Sequence, residues 1–231
     1  MERIEDICEV YLECQQEAST TIVTSSDEKT GIQAKASIKV QAMKEGEIEK
    51  IDSEYTRNGT SCLIAGLDVK TGEIKNYSQG KTRNELDYLN HIKSIIELNP
   101  TEKHIIVCDQ LNTHKSESLV KYVAEQINYI DDLGVKGKSG ILKNMKSRMI
   151  FLENKNHRIR FQFTPKHCSW MNQIENWFGC LQRRVIKHGQ FKSTLDIEQK
   201  VDAFIQYFNS SLAQPINWKF NGYKYRCKLQ G

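Results

Sequence analysis

"KHIIVCD", residues 103–109, is a short apolar run that stops on a carboxylate. Its length, and the polar residue that ends it, fit a strand buried on both faces at the centre of a sheet. The elements around it support a layered fold. "TSCLIAGLDV" (60–69) is a second strong strand, "KTGE" (70–73) a turn, and "IKNYSQG" (74–80) its hairpin partner. Further back, "STTIVTSSDEKTG" (19–31) reads as a short strand running into a turn. Ahead of it Ile4, Ile7, Cys8, Tyr11 and Cys14 recur at helical spacing over residues 3–17. On the other side, Thr82 with Glu85 forms a capping box that opens a helix carrying Leu86, Leu89, Ile92, Ile95 and Ile96 and stopping at Asn99-Pro100. Another helix starts near Ser116. "RIRFQFTPKH" (158–167) is a strand closed by Pro165. A helix containing Glu175 follows it, and a last helix begins near Ser193 with Ile197, Val201, Phe204, Ile205 and Phe208 on one face. Hairpin strands, helix, strand, helix, strand, helices is the order of an α/β layer fold with a mixed sheet.

Residues 129–157 fit that alternation poorly. "DLGVKGKSG" is a loop rich in glycine and lysine, and "SGILKNMKSRMIFL" reads as a short basic amphipathic helix. The segment is taken as an insertion on one rim of the domain. Lys136, Lys138 and Lys143 in it are candidates to face phosphate, or simply a solvated face.

The chain has 231 residues, enough for one domain with a substantial core. No apolar run approaches the roughly 18 residues of a membrane helix. The acidic, amphipathic N-terminus is not a signal peptide, so a cytoplasmic protein without membrane contact is expected. Seven cysteines, with no CxxC pair, argue against both a disulfide framework and a zinc site; Cys62 and Cys108 read as small core residues. The net charge of +4 is too small to imply nucleic acid. Its distribution says more, since Lys and Arg crowd the stretch from Lys136 to Lys192.

Three carboxylates stand at notable places: Asp27 where a strand gives way to "EKTG", Asp109 at the end of the apolar strand, and Glu175 in the first turn of a helix. Each has an ordinary reading. Asp27 sits in good turn chemistry, Asp109 fits a loop or helix start, and Asn172-x-x-Glu175 is a capping box. Brought together, however, three acids repel unless a cation joins them. A hard divalent ion such as Mg²⁺ suits carboxylate oxygens and leaves positions for phosphate. Two such ions can drive in-line displacement at phosphorus.

Five blocks in order, "SSDEKTGIQA", "EYTRNGT", "VCDQLNTHKS", "TPKHCSWMNQIENWFG" and "YFNSSLAQPINWKF", resemble the catalytic domain of bacterial mariner-related insertion-sequence transposases, in particular the "six-thirty" family. The resemblance covers about residues 20–220. It implies a ribonuclease H-like mixed sheet flanked by helices, with a basic insertion before the third catalytic acid. It also implies a DDE triad of Asp27, Asp109 and Glu175 holding two Mg²⁺ or Mn²⁺ ions. The expected activity is hydrolysis of phosphodiesters at element ends, then strand transfer into target DNA at a short A·T-rich step; the alternatives are a non-catalytic DNA-binding remnant and a ribonuclease H-like nuclease without strand transfer. Double-stranded DNA is the implied partner, in a nucleoid-associated homo-oligomer. On this reading residues 1–19 are an N-terminal helix and linker, and 20–231 the catalytic domain. Many relatives have Asp-Asn where this chain has Asp109-Gln110. Complete relatives carry helix-turn-helix readers ahead of the catalytic domain, and one helix before Asp27 is too little for one. That reader is expected on another chain or an upstream-encoded part.

Further candidates have two readings each. His114 is a structural or phosphate-contacting residue, and His167 orients Glu175 or has no role. Trp170 packs in the core or stacks on a base, whereas Trp177 is core. Arg57, Lys166, Arg183, Arg184 and Lys187 either position a phosphate backbone or form a solvated surface.

Overall fold

In the computed structural model, residues 2–37 and 54–221 are described; Cys227 and the last ten positions of the expected catalytic domain lie outside them. Five strands form one sheet in the order β3-β2-β1-β4-β5. They are β1 (Ile22–Ser37), β2 (Tyr55–Asp68), β3 (Ile74–Gly80), β4 (His104–Cys108) and β5 (Ile159–Phe163). β1, β2 and β3 pair antiparallel, while β4 is parallel to both β1 and β5. The helices are α1 (Glu2–Cys14), α2 (Glu85–Glu97), α3 (Glu117–Gln126), α4 (Met145–Leu152), α5 (Gln173–Leu181) and α6 (Thr194–Ser211).

The short interior strand β4 behaves as its composition dictates. All five residues of β4 are buried. Ile105 and Val107 join the core under α1, α5 and α6, whereas Ile106 and Cys108 join the core under α2, α3 and α4. This alternation makes a three-layer sandwich with the sheet in the middle. At the β4 end of the sheet the carboxyl ends of the parallel strands and the start of α5 lie on one side, as functional sites in such sheets require.

Several details differ from the sequence expectation. The turn expected at "EKTG" is a β-bulge inside a 16-residue strand. Lys29 pairs with Leu63 and Ile32 with Ser61, so Thr30 and Gly31 together oppose Cys62. Gly31 takes φ +68°, a backbone open to glycine, so turn chemistry here serves a bulge and the strand continues. Asp27 is therefore in mid-strand. Arg57 likewise lies within β2 rather than before it.

The α2 cap is Asn84 with Asp87, not Thr82 with Glu85. Glu85 is drawn away by Ser118, whose N–H and hydroxyl both donate to it, while Thr82 donates to Asp87 at 2.8 Å. In the 129–157 segment the helix is confined to α4, after a 3₁₀ turn at Ile141–Lys143. Arg148 of α4 is buried and donates to the Leu142 carbonyl at 2.9 Å, so one of the basic residues there serves packing. The six described cysteines form no disulfide; Cys108 is buried, but Cys62 is only half-buried.

Candidate metal centre

Asp27 and Asp109 come together. One carboxylate oxygen of each and a ring nitrogen of His114 all lie within 4.8 Å of one another. Asp27 reaches this point from the middle of β1, and Asp109 from the residue after β4. Parallel pairing of Ile22–Ser25 with His104–Val107 sets the two side by side. Asp27 is 7% exposed, whereas the Asp109 side chain is 43% exposed, so the centre opens toward solvent through Asp109.

Each acid is held from behind. His114, on a 3₁₀ turn at Thr113–Lys115, is fully buried. Its Nδ1 lies 2.8 Å from Asp109 Oδ1 and its Nε2 lies 3.0 Å from Glu28 Oε2. Both neighbours are carboxylate oxygens, which only accept, so both ring nitrogens donate and the imidazole is cationic. Burial alone would lower the His114 pKa, but hydrogen bonds to Asp109, Cys108 and Glu28 carry it well above the ordinary value. The Tyr88 ring packs on this imidazole at 4.1 Å. The Leu111 N–H also donates to Asp109 at 2.8 Å. Burial pushes the Asp109 pKa up, and His114 more than reverses this. With both nitrogens engaged, His114 is a brace for Asp109, and its burial leaves no surface for nucleic acid.

Asp27 is held by α5. Asn172 occupies the N-cap position, yet its side chain makes no capping hydrogen bond. Its amide instead donates to Asp27 Oδ2 at 2.9 Å and to the Ser26 carbonyl at 3.3 Å. Its carbonyl oxygen accepts from the Ser25 hydroxyl. Ser25 Oγ in turn accepts the Ile174 N–H at 2.9 Å, and the Tyr11 hydroxyl donates to the Met171 carbonyl at 2.7 Å. Charge repulsion and burial meet at Asp27: desolvation first, then Asp109, push its pKa up to about 8.

Glu175 stands outside this trio. It is exposed, in the first turn of α5, on the helix that Asn172 ties to Asp27. Desolvation and the Asp109 charge raise its pKa, and Lys29 pulls the other way. No hydrogen bond links it to His167, which is exposed and adopts φ +64°. Gln110 turns its amide onto the Thr164 carbonyl at 2.9 Å, bracing the end of β5.

The remaining candidates are spread over the surface. Trp170 is 49% exposed and stacks on Trp218 at 6.1 Å, so the expected core packing gives way to a surface aromatic cluster with Phe220. Trp177 is core. Lys136, Lys138, Lys143, Lys166, Arg183, Arg184 and Lys187 are all exposed. Lys136 pairs with Glu117 at 3.5 Å. Arg183 and Arg184 sit on a π-helical turn, Gln182–Ile186. Glu28, Asn172 and Ser25 escaped the sequence reading as site residues. Glu28 directly follows Asp27 in "SSDE" and Ser25 stands two residues before it, a hint that was available only once Asp27 was known to lie in a strand.

The donor set suits a hard divalent cation. Two carboxylates converge, one open to solvent, and burial beside Asp109 disfavours the charge on the other, which a cation would offset. The third acid is near enough to feel Asp109.

The family model described as DDE superfamily endonuclease matches residues 23–198, a span containing all three acids. Among curated proteins nothing matches the chain. Among solved structures, the Mos1 mariner paired-end complex with Mn superposes with a TM-score of 0.54 at 14% identity, over 94% of this chain and 57% of that one. The Mos1 mariner transposase catalytic domain gives 0.52 at 11% identity, over 94% and 84%. The same catalytic domain with raltegravir and Mn gives 0.54 at 10% identity. At such identities the likeness is one of fold: a mixed five-stranded sheet flanked by helices, of ribonuclease H-like type. The present chain spans little more than half of the transposase chain in the paired-end complex.

Proposed function

We propose, from the premise that this chain belongs to the DDE superfamily endonucleases, that it is the catalytic part of a "six-thirty" insertion-sequence transposase. The observation carrying this reading is the meeting of Asp27 and Asp109 within 4.8 Å, with Glu175 on the one helix bonded to Asp27 through Asn172. Asp27, Asp109 and Glu175 would hold two Mg²⁺ or Mn²⁺ ions. Ions held this way activate a water or a 3′-hydroxyl and steady the leaving oxygen. The chain's own part is to fix the ligands. His114 and the Leu111 N–H hold Asp109, Asn172 holds Asp27, and the buried sheet keeps all of them from moving.

The substrate is double-stranded DNA: element ends first, then a target at an A·T-rich step. The catalytic domain comprises 20–231, with the 129–157 segment as its insertion. End recognition falls to a helix-turn-helix reader elsewhere, and two ends imply a homo-oligomer. Among the described residues no helix is long and apolar enough to cross a membrane.

The test is cleavage of end-bearing DNA in Mn²⁺, followed by strand transfer from pre-cut ends. Asp109→Ala and Glu175→Ala should each abolish both while the melting temperature is kept. Nicking retained by the double variant would remove the proposal. Cleavage without joining would restrict it to a nuclease.

A further inference from the structure

β4 pairs with β1 only along Ile22–Ser25. From there to Lys35, whose carbonyl accepts the Phe191 N–H at 2.7 Å, no strand lies beside that edge of β1 among the described residues. An open strand edge would ordinarily invite another strand. Here the end of α5 and the π-helical turn after it stand opposite, and the space between is a groove.

Its first chamber, about 360 Å³, is lined by Lys29, Gln33, Lys35, Gln182, Ile186 and Lys187, with the Thr30-Gly31 bulge as part of the wall. A Cβ built on Gly31 would meet nothing within 4 Å, so the bulge faces open space. The second chamber, about 330 Å³, shares Lys35, Ile186 and Lys187 and runs on to Tyr55. The two therefore adjoin along these three residues, in line along β1 as one channel-like track.

Three observations define what it takes. The first is charge. Among the described residues Lys29, Lys35 and Lys187 line it, no Asp or Glu lines either chamber, and no ion pair occupies these lysines. Three cations around a concave surface, with Glu175 acting on Lys29 alone of the three, concentrate a polyanion. The second is size. Chambers of this volume seat nucleotide-sized groups, a size that suits one strand. The third is the far end. The Tyr55 ring is 41% exposed, with Lys35 Nζ 4.7 Å and the Arg57 guanidinium 5.8 Å from its centre. An exposed ring flanked by cations at the end of a basic track is the stacking platform of single-strand binders.

The near end begins at Lys29, two residues along β1 from Asp27. Asp27 and Lys29 pair in unbroken register with Ala65 and Leu63, so both side chains leave the same face of β1. Lys29 also lies within the field of Glu175.

We infer that this channel carries a single nucleic-acid strand away from the metal centre, its phosphates on Lys29, Lys35 and Lys187 and a base against Tyr55. The inference rests on the proposed DNA chemistry and adds the path and the strandedness of the substrate beside the centre.

The experiment measures binding of a fluorescent oligothymidylate strand in EDTA, where nothing is cut, by anisotropy across a salt series. Lys35→Gln/Lys187→Gln should weaken binding about tenfold at low salt. It should also flatten the log K against log salt slope by about 1.4, since each single-strand phosphate contact contributes roughly 0.7. Tyr55→Ala should weaken binding further without changing the slope. Lys75→Gln/Lys103→Gln, two exposed lysines that line neither chamber, should change neither. Unchanged single-strand affinity and slope in Lys35→Gln/Lys187→Gln would overturn the inference, as would an equal loss on a blunt duplex of the same length. Because the readout needs neither metal nor cleavage, it can fail while the cleavage proposal stands, and the reverse.

Discussion

Asn172 sits where a helix cap belongs and does another job. Its side chain is fully buried and spends both ends on β1, joining Asp27, Ser26 and Ser25. Asn172→Ala should cost about 1–3 kcal/mol, because buried partners lose their hydrogen bonds. It should also lower Mn²⁺-dependent cleavage about 10- to 100-fold, the usual loss when a group behind a metal ligand goes. A residue that only capped would cost about 1 kcal/mol and leave cleavage per folded molecule unchanged, so a normal rate would refute this role. Glu28 is the parallel case on the other face of β1, where it anchors His114 from the side away from Asp109. Glu28→Gln keeps an acceptor for the imidazole and should hold Mn²⁺ affinity within about tenfold. Glu28→Leu removes the acceptor and should lose about 10- to 100-fold. Equal affinities in the two variants would show that His114 needs no anchor. None of this was readable residue by residue: "NQIE" has the letters of a capping box, and only the neighbouring strand shows where the amide points.

Among the elements, the buried strand β4 was the most legible, because a five-residue apolar run surrounded by helices has few alternatives. The hairpin of β2 and β3 and the helix starts at Ser116 and Ser193 were legible for the same local reasons. Errors fell where one local signal serves two structures. Gly31 in "EKTG" suits a turn and a bulge equally, and pairing with β2 selects the bulge. At α2 two overlapping capping boxes compete, and Ser118 of α3 decides between them by taking Glu85. The cap assignment is open to measurement. Asn84→Ala should lower stability by about 1 kcal/mol, whereas Thr82→Ala should cost a few tenths at most. The opposite ranking in denaturant titrations would restore the earlier frame.

At the scale of the whole molecule, two carboxylates held in one place make stability depend on pH. The Asp27 pKa stands at about 8 in the folded chain against an ordinary 3.8. Between those values the folded state therefore binds more protons than the unfolded one, and stability falls as pH rises through the window. Asp109 and Glu28, both held low, act in the opposite sense and lose stability only as pH drops below the ordinary carboxylate range. In metal-free buffer the melting temperature of Asp27→Asn should vary less between pH 5 and 8 than that of the parent, about the pKa given above. Millimolar Mn²⁺ should stabilise the parent more at pH 8 than at pH 6, because the cation displaces a proton. Equal pH slopes for parent and variant would disprove this assignment. The sequence by itself determined the layers, the buried interior strand and the order of elements, and it named three acids as candidates, since burial periodicity and motif order are written along the chain. Only the tertiary structure decided which groups hold those acids, that His114 is enclosed, that Glu175 stands apart from the other two, and that a basic channel leads away from them. Those outcomes depend on parallel pairing and helix docking between residues more than 80 positions apart, a distance over which local pattern carries no information.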